Sequence, residues 1–194
     1  MKEAMRRIGF AIAQGLRHRR ALREILALGS AAPALATLSP GQIAAPDLVL
    51  ILDFDGVLAP HADDTPTPVM ATWLAEAVRQ LGPERVFLLS NRPRPARAAW
   101  LAAHCPGVRL IHGVAKKPYP HGLQRIAEMA GVPPERVILV DDRLLTGGLA
   151  AVLAGARCHY VRRPLIRLWR RPVRESFFQC LRLAERLLIA HSRR

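Results

Sequence analysis

Two carboxylates at the end of an apolar run are the residues of this chain best suited to chemistry. The apolar run 48–52 leads directly into Asp53 and Asp55, and Gly56 then allows a sharp turn. A continuous apolar run of this length is typical of a buried parallel strand, and ligands bind at the carboxyl ends of such strands. With this spacing one carboxylate can attack an electrophile while the other moves protons.

Polar residues of complementary kinds follow three further strand-like runs: Ser90-Asn91, Lys116-Lys117 and Asp141-Asp142. Carboxylates gathered on adjacent strand ends repel one another unless a cation lies among them, and Mg²⁺ suits a site made of oxygen ligands. Phosphoryl transfer needs these parts, namely a nucleophile, a proton donor, a hard cation and donors for the phosphoryl oxygens.

The elements that must position these residues alternate between strand-like and helical patterns. This alternation predicts an α/β fold with a doubly wound parallel sheet in three layers, α/β/α. The strand-like runs are 48–52, 85–89, 109–111, 136–140 and 158–161, and the helical patterns are 69–81, 97–104, 123–130 and 148–153.

The chain divides by composition into three parts. Residues 1–46 combine a basic amphipathic helix with an Ala/Pro-rich connector, 47–164 form the α/β core, and 165–194 form a basic C-terminal helix. The apolar stripe of the first helix begins with Ile8, Ile12 and Leu16. The C-terminal helix is expected to pack on the core through Phe177, Leu181, Ala184 and Leu188.

A net charge of +14 implies an anionic partner, which is a nucleic acid, an anionic lipid surface or a phosphorylated substrate. Aromatic residues make up only 5% of the chain, so the stacking pattern of single-strand binders is missing and nucleic acid is disfavoured. Trp169, set among arginines, is the best candidate for a membrane-interface residue.

The three cysteines form no C-x-x-C motif and cannot all pair with one another. Unpaired cysteines are usual in proteins of the reducing cytoplasm. The sequence contains neither a signal-peptide pattern nor an apolar run long enough to span a membrane. We therefore expect a cytoplasmic protein that meets a membrane, if at all, at its surface.

Four motifs in the order Asp53-Phe-Asp55-Gly, Ser90-Asn91, Lys117-Pro118 and Val140-Asp141-Asp142 resemble those of the haloacid dehalogenase (HAD) superfamily of phosphatases. The resemblance spans roughly residues 48–164 and implies an aspartyl-phosphate mechanism. By that resemblance Asp53 is the nucleophile, and Asp55 is the general acid for the leaving group and then the base for water.

The resemblance also implies the ligands of the site. Mg²⁺ would be held by the carboxylate of Asp53, the backbone carbonyl of Asp55 and the carboxylate of Asp142, with Asp141 as an additional acid. Ser90, Asn91 and Lys117 would bind the phosphoryl group; Lys116 competes for the lysine role, and the Lys-Pro step favours Lys117.

Spacing limits the substrate. One helix and one strand fill the interval from Asp55 to Ser90, and another such pair fills the interval from Ser90 to Lys117. Neither interval has room for a folded cap domain, so we expect an open site.

A narrower resemblance is to the YqeG-type branch, which includes phosphatidylglycerophosphate phosphatases. The chain is similar in its small, capless core and in the Val161-Arg-Arg-Pro164 step before a basic helix. It departs at two positions, because Asp141 replaces a glycine and Gly147 replaces an acid. Asp141 can compensate, since adjacent acids also serve this role in the superfamily. The resemblance implies hydrolysis of phosphatidylglycerophosphate to phosphatidylglycerol at the membrane surface.

Three alternatives remain open at this stage. The protein could hydrolyse a soluble sugar or nucleotide phosphate, act as a non-catalytic scaffold because of Gly147, or bind nucleic acid through its basic ends. Around the site, His61 could line the mouth, and Arg92, Arg94 and Arg97 either bind an anionic group or begin a helix.

Overall fold

A five-stranded parallel sheet forms the centre of the computed structural model, which describes residues 2–92 and 94–191. The strand order is β3-β2-β1-β4-β5, which confirms the predicted doubly wound α/β fold. The strands are β1 Val49–Leu52, β2 Val86–Leu89, β3 Arg109–Ile111, β4 Val137–Asp141 and β5 Arg157–Tyr160.

Helices surround the sheet and form the two ends of the described chain. They are α1 Lys2–Arg17, α2 Arg19–Ala31, α3 Pro40–Ile43, α4 Pro68–Leu81, α5 Pro95–His104, α6 His121–Ala130, α7 Leu149–Ala154 and α8 Pro172–His191. A π-helical turn, Leu144–Gly148, precedes α7. Across residues 2–92 and 94–191, no helix combines the length and apolar character needed to traverse a bilayer.

The central strand explains why the sequence shows continuous apolar runs rather than alternation. Leu50 and Leu52 pack into one core layer with α4, whereas Val49 and Ile51 pack into the opposite layer. All four side chains are fully buried, since helices cover both faces of the sheet. The result is a rigid frame whose carboxyl edge carries the motif residues.

Local signals set the helix that follows the first motif. The Thr67 hydroxyl caps α4 by accepting a hydrogen bond from the Met70 amide, and Pro68 occupies the first turn. The helix ends at Gly82, whose φ of 87° is a conformation that favours glycine. This agreement between local chemistry and fold accounts for the accurate sequence prediction of α4.

The N-terminal region forms two helices, not one, with a break at His18 between α1 and α2. The packed face of α1 also differs from the predicted stripe. Ala11 and Gly15 are buried, and a Cβ on Gly15 would lie 2.4 Å from the Leu145 side chain. Ile8 stays exposed, because only the small-residue face allows α1 to approach the core this closely.

The C-terminal helix α8 docks mainly through polar side chains, so the predicted apolar docking face is wrong except at Leu188, which packs against the core cluster that contains Ile189. The buried side chains of α8 are Glu175, Arg182, Glu185 and Ile189. Phe177, by contrast, is 58% exposed. The polar face is buried because its charges pair with charges at the carboxyl edge of the sheet. The division of the chain into residues 1–46, 47–164 and 165–194 stays a prediction.

Candidate active site

The motif residues meet at the carboxyl edge of the sheet, around one cavity of about 560 Å³. Asp53 follows β1 directly, and its amide donates to the carbonyl of Val140 on β4 at 2.9 Å. This strand-to-strand bond sets the Asp53 carboxylate beside the end of β4. The predicted site residues that line the cavity are Asp53, Asp55, Asn91, Lys117, Asp141 and Asp142.

Lys117 lies at the centre of the cluster. Its Nζ is 3.0 Å from Asp53 Oδ1 and 2.5 Å from Asp141 Oδ2, and its side chain is buried. Burial acts to lower the pKa of Lys117, but the two carboxylates outweigh it, so the pKa lies above its usual range. Lys116 also lines the cavity but is exposed, so the structure places Lys117, and not Lys116, against Asp53.

The Asn91 side chain holds Lys117 in place by hydrogen-bonding to the backbone of Lys117. The Asn91 Nδ2 donates to the Lys117 carbonyl at 3.2 Å, and the Lys117 amide donates to Asn91 Oδ1 at 2.8 Å. Both ends of the amide side chain are therefore engaged. This arrangement supports an indirect role for Asn91, in which it positions Lys117.

Three carboxylates could hold a metal ion, because oxygen atoms of Asp53, Asp141 and Asp142 lie within 4.8 Å of one another. Burial raises the pKa of Asp53 to about 8, although the charge of Lys117 lowers it. Burial likewise raises the pKa of Asp142 to about 6, against the opposing charge of Arg182. A divalent cation favours ionised ligands, so an all-oxygen set of this kind fits a hard cation.

Asp141 and Gly147, the two residues that depart from the YqeG-type pattern, lie next to each other in the structure. A Cβ on Gly147 would lie 2.0 Å from Cγ of Asp141, a distance at which two side chains cannot coexist. Gly147 is not among the positive-φ glycines, so steric exclusion by Asp141, and not backbone conformation, demands a glycine there. The carboxylate of Asp141 thus occupies the space of a side chain at position 147.

Asp55 is held by a buried arginine that sequence reasoning left without a definite role. Arg97 donates from Nη2 to Oδ1 at 2.7 Å and from Nη1 to Oδ2 at 3.2 Å. The Ala62 amide donates to Oδ1 at 3.0 Å. Burial acts to raise the pKa of Asp55, but the bonds from Arg97 and Ala62 outweigh it, so the pKa lies below its usual range.

Ser90 is linked to the same guanidinium. Its buried Oγ accepts hydrogen bonds from Arg97 Nη1 at 3.3 Å and from the Arg92 amide at 3.2 Å. Arg94 pairs instead with Asp64 at 2.9 Å, at the surface. The three arginines after the second motif therefore do different things, and Arg97 serves the acidic residue of the first motif.

The polar face of α8 completes the site from a distant part of the sequence. Arg182 Nε donates to Asp142 Oδ2 at 2.5 Å, and Arg143 pairs with Glu185. Glu175 Oε1 accepts from the His61 amide at 3.1 Å. Sequence reasoning missed these residues, although a charged series at positions 175, 182 and 185 on one helix face was a usable signal.

Much of the cavity lining is apolar and comes from the two terminal helices. Ile8 and Ile12 of α1 line the cavity, as do Phe177, Leu181 and Leu188 of α8. His61 also lines the cavity, as its position after the first motif predicts, and burial lowers its pKa to about 3. An uncharged His61 stacks on Phe178, with ring centroids 3.8 Å apart.

Comparison with known proteins gives one family match and two structural neighbours. A HAD family hydrolase from Deinococcus radiodurans R1, solved with bound phosphate and sodium, is 22% identical, with 59% of this chain and 80% of that chain covered and a TM-score of 0.40. CbbY from Rhodobacter sphaeroides, in complex with xylulose-(1,5)bisphosphate, is 17% identical, with 57% and 84% covered and a TM-score of 0.40. No curated protein matches the sequence.

The family match covers most of the chain. The model for haloacid dehalogenase-like hydrolases matches residues 5–155, a range that contains all four motifs and the whole acidic cluster. The protein is therefore a hydrolase, and the chain belongs to the haloacid dehalogenase-like hydrolase family.

Proposed function

We propose that this hydrolase is a Mg²⁺-dependent phosphatase that converts phosphatidylglycerophosphate to phosphatidylglycerol at a membrane surface. The observation that carries this proposal is the cavity of about 560 Å³, with carboxylates at its floor and apolar side chains in its walls. Such a cavity suits a substrate that is anionic at one end and apolar at the other.

In the first half-reaction, a carboxylate oxygen of Asp53 attacks phosphorus, and the bond from phosphorus to the leaving oxygen breaks. The negative charge of the bound phosphoryl group favours the protonated form of Asp55 and opposes the effect of Arg97, so Asp55 gives a proton to that oxygen and the product leaves as an alcohol. In the second half-reaction, water attacks phosphorus, Asp55 accepts its proton, and Asp53 is regenerated with release of phosphate.

The remaining residues bind and orient. Asp53, Asp141 and Asp142 would hold Mg²⁺ together with the backbone carbonyl of Asp55, and the bound ion supplies neutralisation of charge on the phosphoryl oxygens. The ammonium of Lys117 and the hydroxyl of Ser90 donate hydrogen bonds to the same group. Both donors are buried, which strengthens their interaction with an anion.

A lipid substrate is supported by the composition of the cavity. Ile8 is 58% exposed and Phe177 is 58% exposed, so both present apolar surface beside the carboxylates. Phosphatidylglycerophosphate carries a second phosphate next to its glycerol, and Arg7, Arg92 and Lys116 line the same cavity. A soluble sugar phosphate offers no apolar group to such walls.

Docking on an anionic membrane is supported by the surface around α8. Trp169 and Val173 are exposed by 82% and 84%. Trp169, Val173 and Phe177 follow one another at intervals of four residues. Arg170, Arg171 and Arg174 lie among them, and each basic residue near an anionic surface contributes about 1 kcal/mol to binding. We infer a peripheral protein of the cytoplasm, where its three free cysteines would stay reduced.

The test is Mg²⁺-dependent release of phosphate from phosphatidylglycerophosphate in mixed micelles, beside a panel of soluble phosphate esters. Asp53→Asn removes the nucleophile and is expected to abolish turnover, whereas Asp64→Asn, an exposed acid paired with Arg94, serves as the matched control. Turnover of soluble esters alone would keep the hydrolase chemistry and reject the lipid. No turnover of any ester would favour the non-catalytic scaffold.

A further inference from the structure

The cavity carries three cations that its own acids do not neutralise. Each acidic side chain that lines the cavity already has a cation within ion-pair distance. The pairs are Asp53 and Asp141 with Lys117, Asp55 with Arg97, Asp142 with Arg182, and Glu185 with Arg143. Arg7, Arg92 and Lys116 also line the cavity, and they form no ion pair with any carboxylate of residues 2–92 and 94–191. Like charges gathered in one cleft repel one another, so these cations favour an anion among them.

Backbone contacts bring Arg92 and Lys116 close to the residues proposed to bind the scissile phosphate. Arg92 directly follows Asn91 in the chain. Lys116 directly precedes Lys117. The Asn91 side chain hydrogen-bonds to the amide and the carbonyl of Lys117, which ties the two segments together. The Arg92 amide also donates to Ser90 Oγ at 3.2 Å, so the backbone of each cation is fixed within two residues of a phosphate-binding side chain.

Arg7 reaches the same cavity from α1. Phe10, three residues further along α1 and therefore on the same side of the helix, packs on Tyr119 with ring centroids 4.7 Å apart. Tyr119 lies three residues after Lys116, so this ring contact anchors α1 beside the segment that carries Lys116. The segment after β2, the segment after β3 and α1 thus each supply one of the three cations.

We propose that Arg7, Arg92 and Lys116 form a second anion-binding site, which holds a second phosphate group of the substrate while the scissile phosphate lies at Asp53. This inference rests on the proposed phosphatase function and narrows its substrate class to phosphate monoesters that carry another phosphate close by. In phosphatidylglycerophosphate that group is the phosphodiester that links the glycerol to the lipid. An ester with one phosphate, such as phosphatidic acid or glycerol phosphate, leaves the three cations unpaired and is a poor substrate.

The test uses the water-soluble headgroup of the proposed lipid, which keeps the phosphodiester and the terminal phosphate but has lost both acyl chains. Glycerol phosphate, with the terminal phosphate alone, is the reference substrate. Neither compound forms a membrane, so attraction of basic residues to lipid cannot contribute. For the parent protein we expect kcat/KM for the headgroup to exceed that for glycerol phosphate about tenfold or more, as for a charge-assisted hydrogen bond.

Arg92→Gln removes one of the three cations at an exposed position, so the variant should fold. We expect it to raise the KM for the headgroup about tenfold with kcat unchanged, because the lost contact is the same in bound substrate and transition state. Both constants for glycerol phosphate should stay near those of the parent protein. Arg125→Gln on α6, which removes the same charge outside the cavity, is the matched control and should leave both esters unchanged.

Three results would overturn the proposal. A parent protein that hydrolyses both esters equally well has no second anion-binding site. Equal losses on the two esters in Arg92→Gln would indicate damage where the scissile phosphate binds. Equal losses in Arg92→Gln and Arg125→Gln would indicate attraction by net charge and not by a site.

Calorimetric titration of the Asp53→Asn protein separates this proposal from the phosphatase function, since it measures binding without turnover. We expect the headgroup to bind about tenfold or more tightly than glycerol phosphate, and Arg92→Gln in the same protein to remove the difference. A parent protein that hydrolyses no ester would contradict the phosphatase function, and this selective binding would still support the second anion-binding site. Equal binding of the two compounds would overturn the site whether or not the parent protein is active.

Discussion

Opposite charges hold the acidic residues of the site together at the level of single side chains. Asp53 and Asp141 share Lys117, whereas Asp55 and Asp142 are each paired with an arginine. Buried charges are tolerated only when they are paired and hydrogen-bonded. The site therefore depends on the pairing of each buried acid with a base.

Moving the acid from position 141 to position 147 should succeed only as a double change. Gly147→Asp alone places a Cβ 2.0 Å from Cγ of Asp141, so overpacking should cost about 1–3 kcal/mol of stability. Asp141→Gly alone removes one of the three clustered acids and should weaken binding of Mg²⁺. The double variant should recover both properties, measured by calorimetric titration with Mg²⁺ and by thermal unfolding.

The double variant is its own control, because a mutant cycle isolates the coupling between the two positions. Additive losses would contradict the spatial exchange, since the double variant would then be worse than either single variant. Recovery of stability without recovery of Mg²⁺ binding would contradict the assignment of Asp141 as a ligand.

At the scale of elements, α8 is the least ordinary part of the fold, because it docks on the core through charges. Arg182 and Asp142 are each about 1% exposed, and Glu185 pairs with Arg143 along the same face. Its apolar residues Phe177, Leu181 and Leu188 line the cavity instead. This reversal ties the C-terminal helix to the acidic cluster.

Arg182→Gln should therefore destabilise the protein. Breaking a buried ion pair leaves Asp142 without its counter-charge, which typically costs about 3–5 kcal/mol. Chemical denaturation monitored by circular dichroism gives the free energy of unfolding. Added Mg²⁺ should restore more stability in this variant than in the parent protein, because a cation compensates the same carboxylates.

Arg186→Gln, one turn further along α8, is the comparison for this effect. Arg186 donates to the Tyr160 hydroxyl and to the Arg162 carbonyl, both at 2.8 Å, so its loss should cost only about 1 kcal/mol per hydrogen bond. Equal destabilisation by the two substitutions would argue against a special role for Arg182.

Element boundaries could be predicted well where the pattern is local. The apolar run 48–52 predicted β1, and the helical pattern 69–81 predicted α4 within a residue of its observed ends. The faces of α1 and α8 could not be predicted in this way, because periodicity marks an apolar side without saying whether it meets the core or a cavity. Gly15 and Arg182 decide that question through contacts with distant residues.

For the molecule as a whole, the net charge of +14 and the exposed apolar residues of α8 belong to one surface argument. In the proposed membrane binding, basic residues would attract the protein to an anionic bilayer and apolar side chains would then enter the interface. Residues of α1 and α8 line the cavity, so the same helices that would meet the lipid also border the acidic cluster.

Binding to vesicles should depend on both the basic residues and the exposed apolar side chains. We expect affinity for vesicles of phosphatidylglycerol to exceed that for phosphatidylcholine and to fall as salt is raised. Trp169→Ser should weaken binding about tenfold or more, since burial of a large apolar side chain contributes about 1.5–3 kcal/mol. Sedimentation with vesicles measures the bound fraction.

Leu28→Ser provides the reference for this substitution, because Leu28 is 72% exposed on α2 and does not line the cavity. Similar losses for Trp169→Ser and Leu28→Ser would indicate unspecific adhesion. Binding that ignores lipid charge would contradict the proposed surface.

The sequence by itself determined the strands, most of the helices and the set of acids at the sheet edge, because these follow from local apolar patterns and from motif order. Only the tertiary structure decided which cation faces which acid. Arg97 meets Asp55 across 42 positions and Arg182 meets Asp142 across 40, and no local periodicity encodes such pairs. The exclusion of a side chain at position 147 by Asp141 also depends on packing in three dimensions, since it is a matter of shared space.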